Sequence, residues 1–402
     1  MPARLNNAFT LPYTFFRQDA TEVFRELKSA HLTGINLALN YHGSRDFLLR
    51  QGPQLEYLAD GFHYYLPDST KYEPDSILPH GKDHLVDNKV LDGVLAAASA
   101  EGMKVNAWCV FAHNSAVGIQ EPSATVTNAL DNHFLSELCP SNPRVQRYFK
   151  GMVKDLLSRG VNGIAAESLH FHGARHGEHH ERFFMELSPT TEFLFALCFC
   201  PSCVAKFEQR GGDGQRLKAK VALALKPFLE DIDPWLGKAL SQPFLVEFIG
   251  TELFDYLVSR ELTVSELYAD ISKLTRASGA KFSYVDQSTL LDMESAMPVG
   301  LSWQVGIDNR AVRTQIDAFL PLMYRELADD IAGIAHNYKN EIGGEIDAIL
   351  RPTYPDSESS ENLIEKVETL SALGISNIDF YLLDTWRPRD LQRVAAALER
   401  IA

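Results

Sequence analysis

Gly163-Ile164-Ala165-Ala166-Glu167-Ser168 is a short, almost wholly apolar run that ends in a carboxylate. Ahead of it, residues 143–159 have helical length and an apolar i, i+3, i+4 stripe, closed by Gly160. A helix that stops at glycine and leads at once into a strand without a polar face is half of a βα repeat. Such a strand is buried by neighbouring strands on one side and by an outer helix on the other.

The pattern recurs in both directions. Strands are expected at 9–15, 35–41, 105–111, 163–168, 282–286, 318–324, 348–354 and 378–384. Helices fit around them at 20–30, 89–101, 143–159, 309–316, 326–340, 360–373 and 389–401. Eight strands in this alternation predict an α/β fold, a (β/α)8 TIM barrel. A doubly wound open sheet is the alternative, but its usual glycine-rich turn after the first strand is missing.

Two stretches exceed a minimal barrel. Residues 42–87, rich in Tyr, Pro, Asp and His, read as a long loop over the barrel mouth. Residues 169–280 hold a His-rich run, a cysteine cluster and about three helices, one of them (244–277) broken near its middle. The expected organisation is a barrel from 1–168 and 281–402, with a largely helical insertion, 169–280, after the fourth strand.

Composition narrows the function. The 402 residues are 45% hydrophobic and 23% charged, as in an ordinary folded protein. A net charge of −15, without a local Lys/Arg stripe, disfavours nucleic acid and anionic membranes as partners. No secretory pattern opens the chain and no apolar run reaches the roughly 18 residues of a membrane span, so a cytoplasmic protein is expected. Five cysteines, three of them between 198 and 203, do not make a disulfide framework for this length and suit a reducing compartment.

In a (β/α)8 barrel the chemistry sits at the carboxyl ends of the strands. There the sequence places Tyr41 and His42, His113 and Asn114, Glu167 with His170 and His172, Asp286, Tyr324 and Arg325, Arg351, and Asp384 with Trp386. Aromatic faces stack on sugar C–H groups while carboxylates, amides, imidazoles and guanidiniums bind hydroxyls, so the set suits a polyhydroxylated ligand. Polar residues also appear at strand ends merely because strands emerge into solvent there. Glu167 stands out because it leaves a buried strand, where desolvation raises a carboxyl toward a general acid. Pairing with an arginine such as Arg351, purely for stability, is the plainer reading. Asp286, on the neighbouring strand, leads as second carboxylate, ahead of Asp384; either could instead cap the following helix.

Residues 170–180 hold five of the thirteen histidines. They read as hydroxyl-binding or proton-transferring groups, or as a catalytic metal site, although no His-Glu-x-x-His spacing is present. Cys198-Phe199-Cys200-Pro201-Ser202-Cys203 offers three thiolates for a structural zinc, with Cys139 or a histidine as fourth ligand; buried reduced cysteines are the alternative.

Val161-Asn162-Gly163-Ile164 running into Glu167-Ser168, after Pro140-Ser141-Asn142-Pro143 and an amphipathic helix, resembles the fourth-strand region of a group of bacterial (β/α)8 glycoside hydrolases. Asp317-Ala318-Phe319-Leu320-Pro321-Leu322-Met323-Tyr324 is similar to their sixth strand, and the Cys-x-Cys-x-x-Cys before a basic helix to a feature of some members. The resemblance implies a carbohydrate-active enzyme with Glu167 near the chemistry. One departure is that no Glu closes the seventh strand, which shifts the nucleophile or second-carboxylate role to Asp286. The resulting expectation is a glycosidase of carbohydrate metabolism acting on a small oligosaccharide or glycoside. Glu167 and Asp286 would be catalytic, the other strand-end residues would bind sugar, no cofactor would be required for catalysis, and an apolar face on the inserted helices could support a homodimer. The rivals are a metal-dependent isomerase, lyase or hydrolase using the histidines, and a non-catalytic sugar-binding barrel.

Overall fold

The computed structural model describes residues 4–50, 54–79, 88–175, 182–288 and 298–401. Its central sheet contains β1 (Asn7–Thr10), β2 (Gly34–Tyr41), β3 (Lys104–Val110), β4 (Gly163–Glu167), β5 (Lys281–Asp286), β6 (Ala318–Pro321), β7 (Ala348–Leu350) and β8 (Ile378–Phe380). These strands pair in parallel in the order β6-β5-β4-β3-β2-β1-β8-β7. A parallel bridge between Leu322 and Ile349 brings the two ends of that order together. The chain is a (β/α)8 barrel.

Eight helices follow the strands: α1 (Ala20–Ser29), α2 (Asn88–Glu101), α3 (Pro143–Ser158), α4 (Thr251–Ser278), α5 (Asn309–Arg313), α6 (Ala328–Ile342), α7 (Ser360–Ala372) and α8 (Pro388–Glu399). Asp19, Asn142, Asp308 and Ser359 cap α1, α3, α5 and α7 by accepting first-turn N–H bonds. The helix expected over 244–277 breaks at Gly250, whose φ of +118° no β-carbon tolerates easily, so α4 is one uninterrupted element packed beside α3 and α5.

Strand ends differ from expectation where apolar runs continue past the sheet. Pro12 ends the first run and starts a short helix, Tyr13–Arg17, and the last run turns at Leu383–Thr385. Leu11, Tyr13, Leu382 and Leu383 are as buried as the strands themselves, so hydrophobicity alone overstates strand length.

Side-chain alternation sorts each strand into two faces. Phe9, Ala38, Trp108, Val110, Ala165, Val285, Leu320 and Ile349 pack together inside the barrel. Leu37, Ala107, Cys109, Ile164, Ala166, Phe282, Tyr284, Phe319, Leu350 and Phe380 face the helices. At the amino-terminal end a polar plug fills the interior: Asp379 accepts from the Asn7 and Asn36 amides, and Asn36 in turn accepts from Asn106.

The segment after β2, expected as a loop, contains a hairpin of Ser44–Leu48 with Gln54–Leu58, and Phe62–His63 adds antiparallel to the end of β2. Between β4 and α4 lie the helices Pro189–Ala196, Pro201–Gln209, Gly214–Glu230 and Gln242–Ile249. They leave Leu223, Leu229 and Phe248 exposed. Among the described residues no single helix is long and apolar enough to cross a bilayer.

Candidate active site

The barrel interior opens at the carboxyl ends of the strands into a cavity of about 420 Å³, within the size range of small-ligand sites. Glu167 lies in its wall because it shares inward parity with Ala165. The next residue, Ser168, adopts a left-handed φ of +55°, an uncommon conformation for a non-glycine residue, and its carbonyl accepts from Ala112 N–H. The chain thus turns sharply just after the carboxyl group.

Both Glu167 oxygens are engaged. Trp108 Nε1 donates to Oε2 at 2.5 Å, and Gln287 Nε2 donates to Oε1. Phe9 and Tyr41 wedge the indole edge-on, with ring centroids 5.0 and 4.6 Å away. Burial pushes the Glu167 pKa above the ordinary carboxyl value, and this outweighs the opposing pull of His42 and the two donors. A carboxyl whose pKa is raised, set in the wall of a ligand-sized cavity, is placed to exchange a proton with a substrate oxygen.

Aromatic and imidazole rings make up much of the remaining wall. Tyr41 stacks on His42 at 4.1 Å, His42 on His113 at 5.3 Å, and His170 lies 5.0 Å from His172. His170 Nδ1 is 2.6 Å from the Phe171 carbonyl, and burial lowers the ring's pKa, favouring neutral imidazole. The Tyr41 and Tyr381 hydroxyls lie 3.4 Å apart. Arg351, inward like Ile349, holds its guanidinium 4.2 Å over the Tyr324 ring and pairs with Asp356 at 2.9 Å.

Of the residues singled out by sequence, Tyr41, His42, Glu167, His170, His172, Tyr324 and Arg351 line this cavity, and the others do not. Asp286 shares the outward parity of Phe282 and Tyr284, so the strand turns it away from the mouth. There it is fully buried, accepting from Tyr284 Oη, Ser288 N and Oγ, and Tyr338 Oη at 2.6–3.0 Å. Asp384 ties strand ends together through Leu11 N, Thr10 Oγ1 and Thr14 Oγ1, and Trp386 packs in the helix-facing core. Asn114 caps the helix Ser115–Gln120, Arg325 bonds the Tyr324 carbonyl, and buried His113 stands behind His42. His176, His179 and His180 lie outside the described residues.

Trp108, Tyr381 and Arg175 also line the cavity and were not singled out as site residues, and Gln287, which follows Asp286 at the end of strand five, joins them. Strand parity was the available signal for all but Arg175: Trp108 alternates with outward Ala107 and Cys109, Gln287 follows Val285 by two, and Tyr381 follows Asp379 by two.

A second cluster lies outside the cavity. Cys139, Cys198, Cys200 and Cys203 are all buried, with their Sγ atoms within 4.8 Å of one another. Cys139 Sγ is 3.5 Å from Cys203, 3.5 Å from Cys200 and 3.8 Å from Cys198. A tetrahedral zinc–thiolate centre with bonds of about 2.3 Å has edges of about 3.8 Å, so both donor set and spacing fit Zn²⁺. Among the described residues this is the one His/Cys/Asp/Glu group with metal-holding geometry, and His170 and His172 form no such group.

No family model and no curated protein sequence matches this chain. Solved structures do. A β-galactosidase from the psychrophilic Marinomonas ef1 superposes with a TM-score of 0.58 at 12% identity, over 99% of this chain and 59% of that one. The α-L-fucosidase isoenzyme 2 of Paenibacillus thiaminolyticus gives 0.56 at 11%, over 99% and 49%. The catalytic domain of the Paenibacillus polymyxa β-amylase gives 0.56 at 9%, over 99% of both chains. The chain therefore spans less than two thirds of the galactosidase and of the fucosidase. At these identities the likeness is one of fold: this chain has the (β/α)8 barrel found in glycoside hydrolases.

Proposed function

We propose that the chain is a glycoside hydrolase that cleaves a small oligosaccharide or glycoside, with Glu167 as the proton-transferring group. The single observation that carries this is the placement of the buried Glu167 carboxyl in the wall of an aromatic-lined cavity at the carboxyl end of the barrel. Glu167 gives its proton to the departing glycosidic oxygen as the bond to the anomeric carbon breaks. Water supplies the hydroxyl that replaces the leaving alcohol, and its proton returns to Glu167. The rings of Tyr41, Trp108, Tyr324 and Tyr381 offer faces for sugar C–H groups, and His42, His170 and His172 offer polar atoms for hydroxyls. Asp286 is assigned a structural role instead of the second carboxylate, and so is Asp384.

We further propose that the four cysteines hold a structural zinc. Four protein ligands leave no open position, so the ion would join the loop after β3, the inserted helices and, through the Tyr256 hydroxyl on the Cys198 carbonyl, helix α4. Thiolates kept for metal suit a reducing compartment such as the cytoplasm.

Aryl and natural glycosides incubated with the full chain test the main proposal. Hydrolysis by the wild type with at least about a hundredfold loss of turnover in Glu167→Gln is expected. Equal turnover by both proteins would refute it.

A further inference from the structure

The titratable groups around the cavity are unevenly distributed. Among the described lining residues Glu167 is the one carboxyl, and Trp108 and Gln287 already occupy its oxygens. Two guanidiniums, Arg175 and Arg351, share the wall with it. In a chain whose net charge is −15, the composition runs against such a pairing.

Each arginine is anchored by a carboxylate that does not itself line the cavity. Glu192 bonds Arg175 Nε, and Asp356 pairs with Arg351 Nη1 at 2.9 Å. Asp356 is fixed in turn by Lys366 of α7, whose buried ammonium donates to the Asp356 carbonyl and approaches Ser357 Oγ at 3.4 Å. The Arg351 guanidinium stacks on the Tyr324 ring, and Arg351 lines the cavity. Among the described residues Asp356 is the sole ion partner of Arg351. A guanidinium held by stacking and one ion pair, with further N–H groups unspent, matches the two oxygens of a carboxylate or sulfate.

We infer that the substrate is a glycoside whose sugar carries an oxyanion, a ring carboxylate or a sulfate ester, recognised by Arg351 with Arg175 as a second cation in the wall. The inference rests on reading the cavity as a glycosidase site and adds the substrate's charge. Arg351 is then the specificity-determining residue, and Asp356 is a positioning residue acting through it. A bound anion would push the Glu167 pKa further up, since like charge disfavours its ionised form.

Matched ligand pairs test this on the intact chain. D-glucuronate against D-glucose, D-galacturonate against D-galactose, and the 6-sulfates of both sugars are titrated by calorimetry or thermal shift, and the corresponding 4-nitrophenyl glycosides are assayed for turnover. At least one acidic ligand should bind about tenfold or more tightly than its neutral partner, with the preference falling as salt rises. The carboxylate and sulfate arms identify which oxyanion is meant. Arg351→Gln should erase the preference, and Asp356→Asn should weaken it. Equal affinity for acidic and neutral members, or stabilisation by no acidic sugar, overturns the inference. Hydrolysis of neutral glycosides alone would overturn it and leave the glycosidase reading standing. Acidic-selective binding without turnover of any glycoside would support it and overturn that reading instead.

Discussion

Glu167 and Asp286 sit at the carboxyl ends of adjacent strands, both buried, yet they face opposite sides of the sheet. Glu167 has inward parity and meets a ligand-sized cavity, where two neutral donors hold it and burial raises its pKa. Asp286 has outward parity and meets Tyr284, Ser288 and, from helix α6, Tyr338. One residue of register in a strand therefore separates a carboxyl that faces the cavity from one that accepts a hydrogen bond from helix α6.

The largest expected effect separates the pair by activity. Glu167→Gln keeps shape and should lose at least about a hundredfold in turnover with its melting temperature nearly unchanged. A comparable loss in Asp286→Asn, measured where that variant is fully folded, would erase the distinction.

The cysteine cluster extends the contrast to a larger structural unit. Removing zinc with a strong chelator, or replacing Cys139 by Ser, should lower the melting temperature by several degrees and abolish one equivalent of bound metal, because binding to the folded state alone is folding energy. A metal-free protein whose stability ignores the chelator would contradict the assignment.

Asp286→Asn comes next. It weakens charge-assisted bonds in a buried network, and a loss of about 1.5–3 kcal/mol in urea unfolding is expected, with turnover close to wild type. Unchanged stability would mean that Asp286 does not fasten α6.

The smallest effect sharpens the chemistry of Glu167. Trp108→Phe removes a donor that favours the ionised carboxyl, so the pKa rises further. A general acid works below its pKa and fails as pH climbs through it. The alkaline limb of the pH–rate profile should therefore move to higher pH in this variant, by up to about one pH unit. A shift in the opposite direction would contradict the role of the indole.

How much of this was legible in the sequence depends on where each residue stands. The eight βα units could be read because buried parallel strands are apolar on both faces, and Glu167 could be read because it closes such a run. Asp286 lies away from the cavity because it is two residues from Tyr284 and four from Phe282, both of which face the helices. No parity rule reaches Asp384 or Trp386, since the chain has left β8 and turns at Leu383–Thr385 before them. Cys139 as the fourth thiol was one of several options in the sequence. Only the packing of the loop after β3 against the inserted helices brings it to Cys198, 59 residues away. Arg175 lies beyond β4 in irregular chain, where spacing carries no directional information.

The most direct test of Glu167 as proton donor is the leaving-group dependence of Glu167→Gln, measured side by side with wild type on glycosides of one sugar. A donor matters for a poor leaving group and hardly at all for one that departs as a stable anion. Turnover should fall at least about a hundredfold with an alkyl or sugar leaving group, and stay near wild type in the cleavage step with dinitrophenolate. An equal loss on both substrates would contradict general-acid catalysis by Glu167.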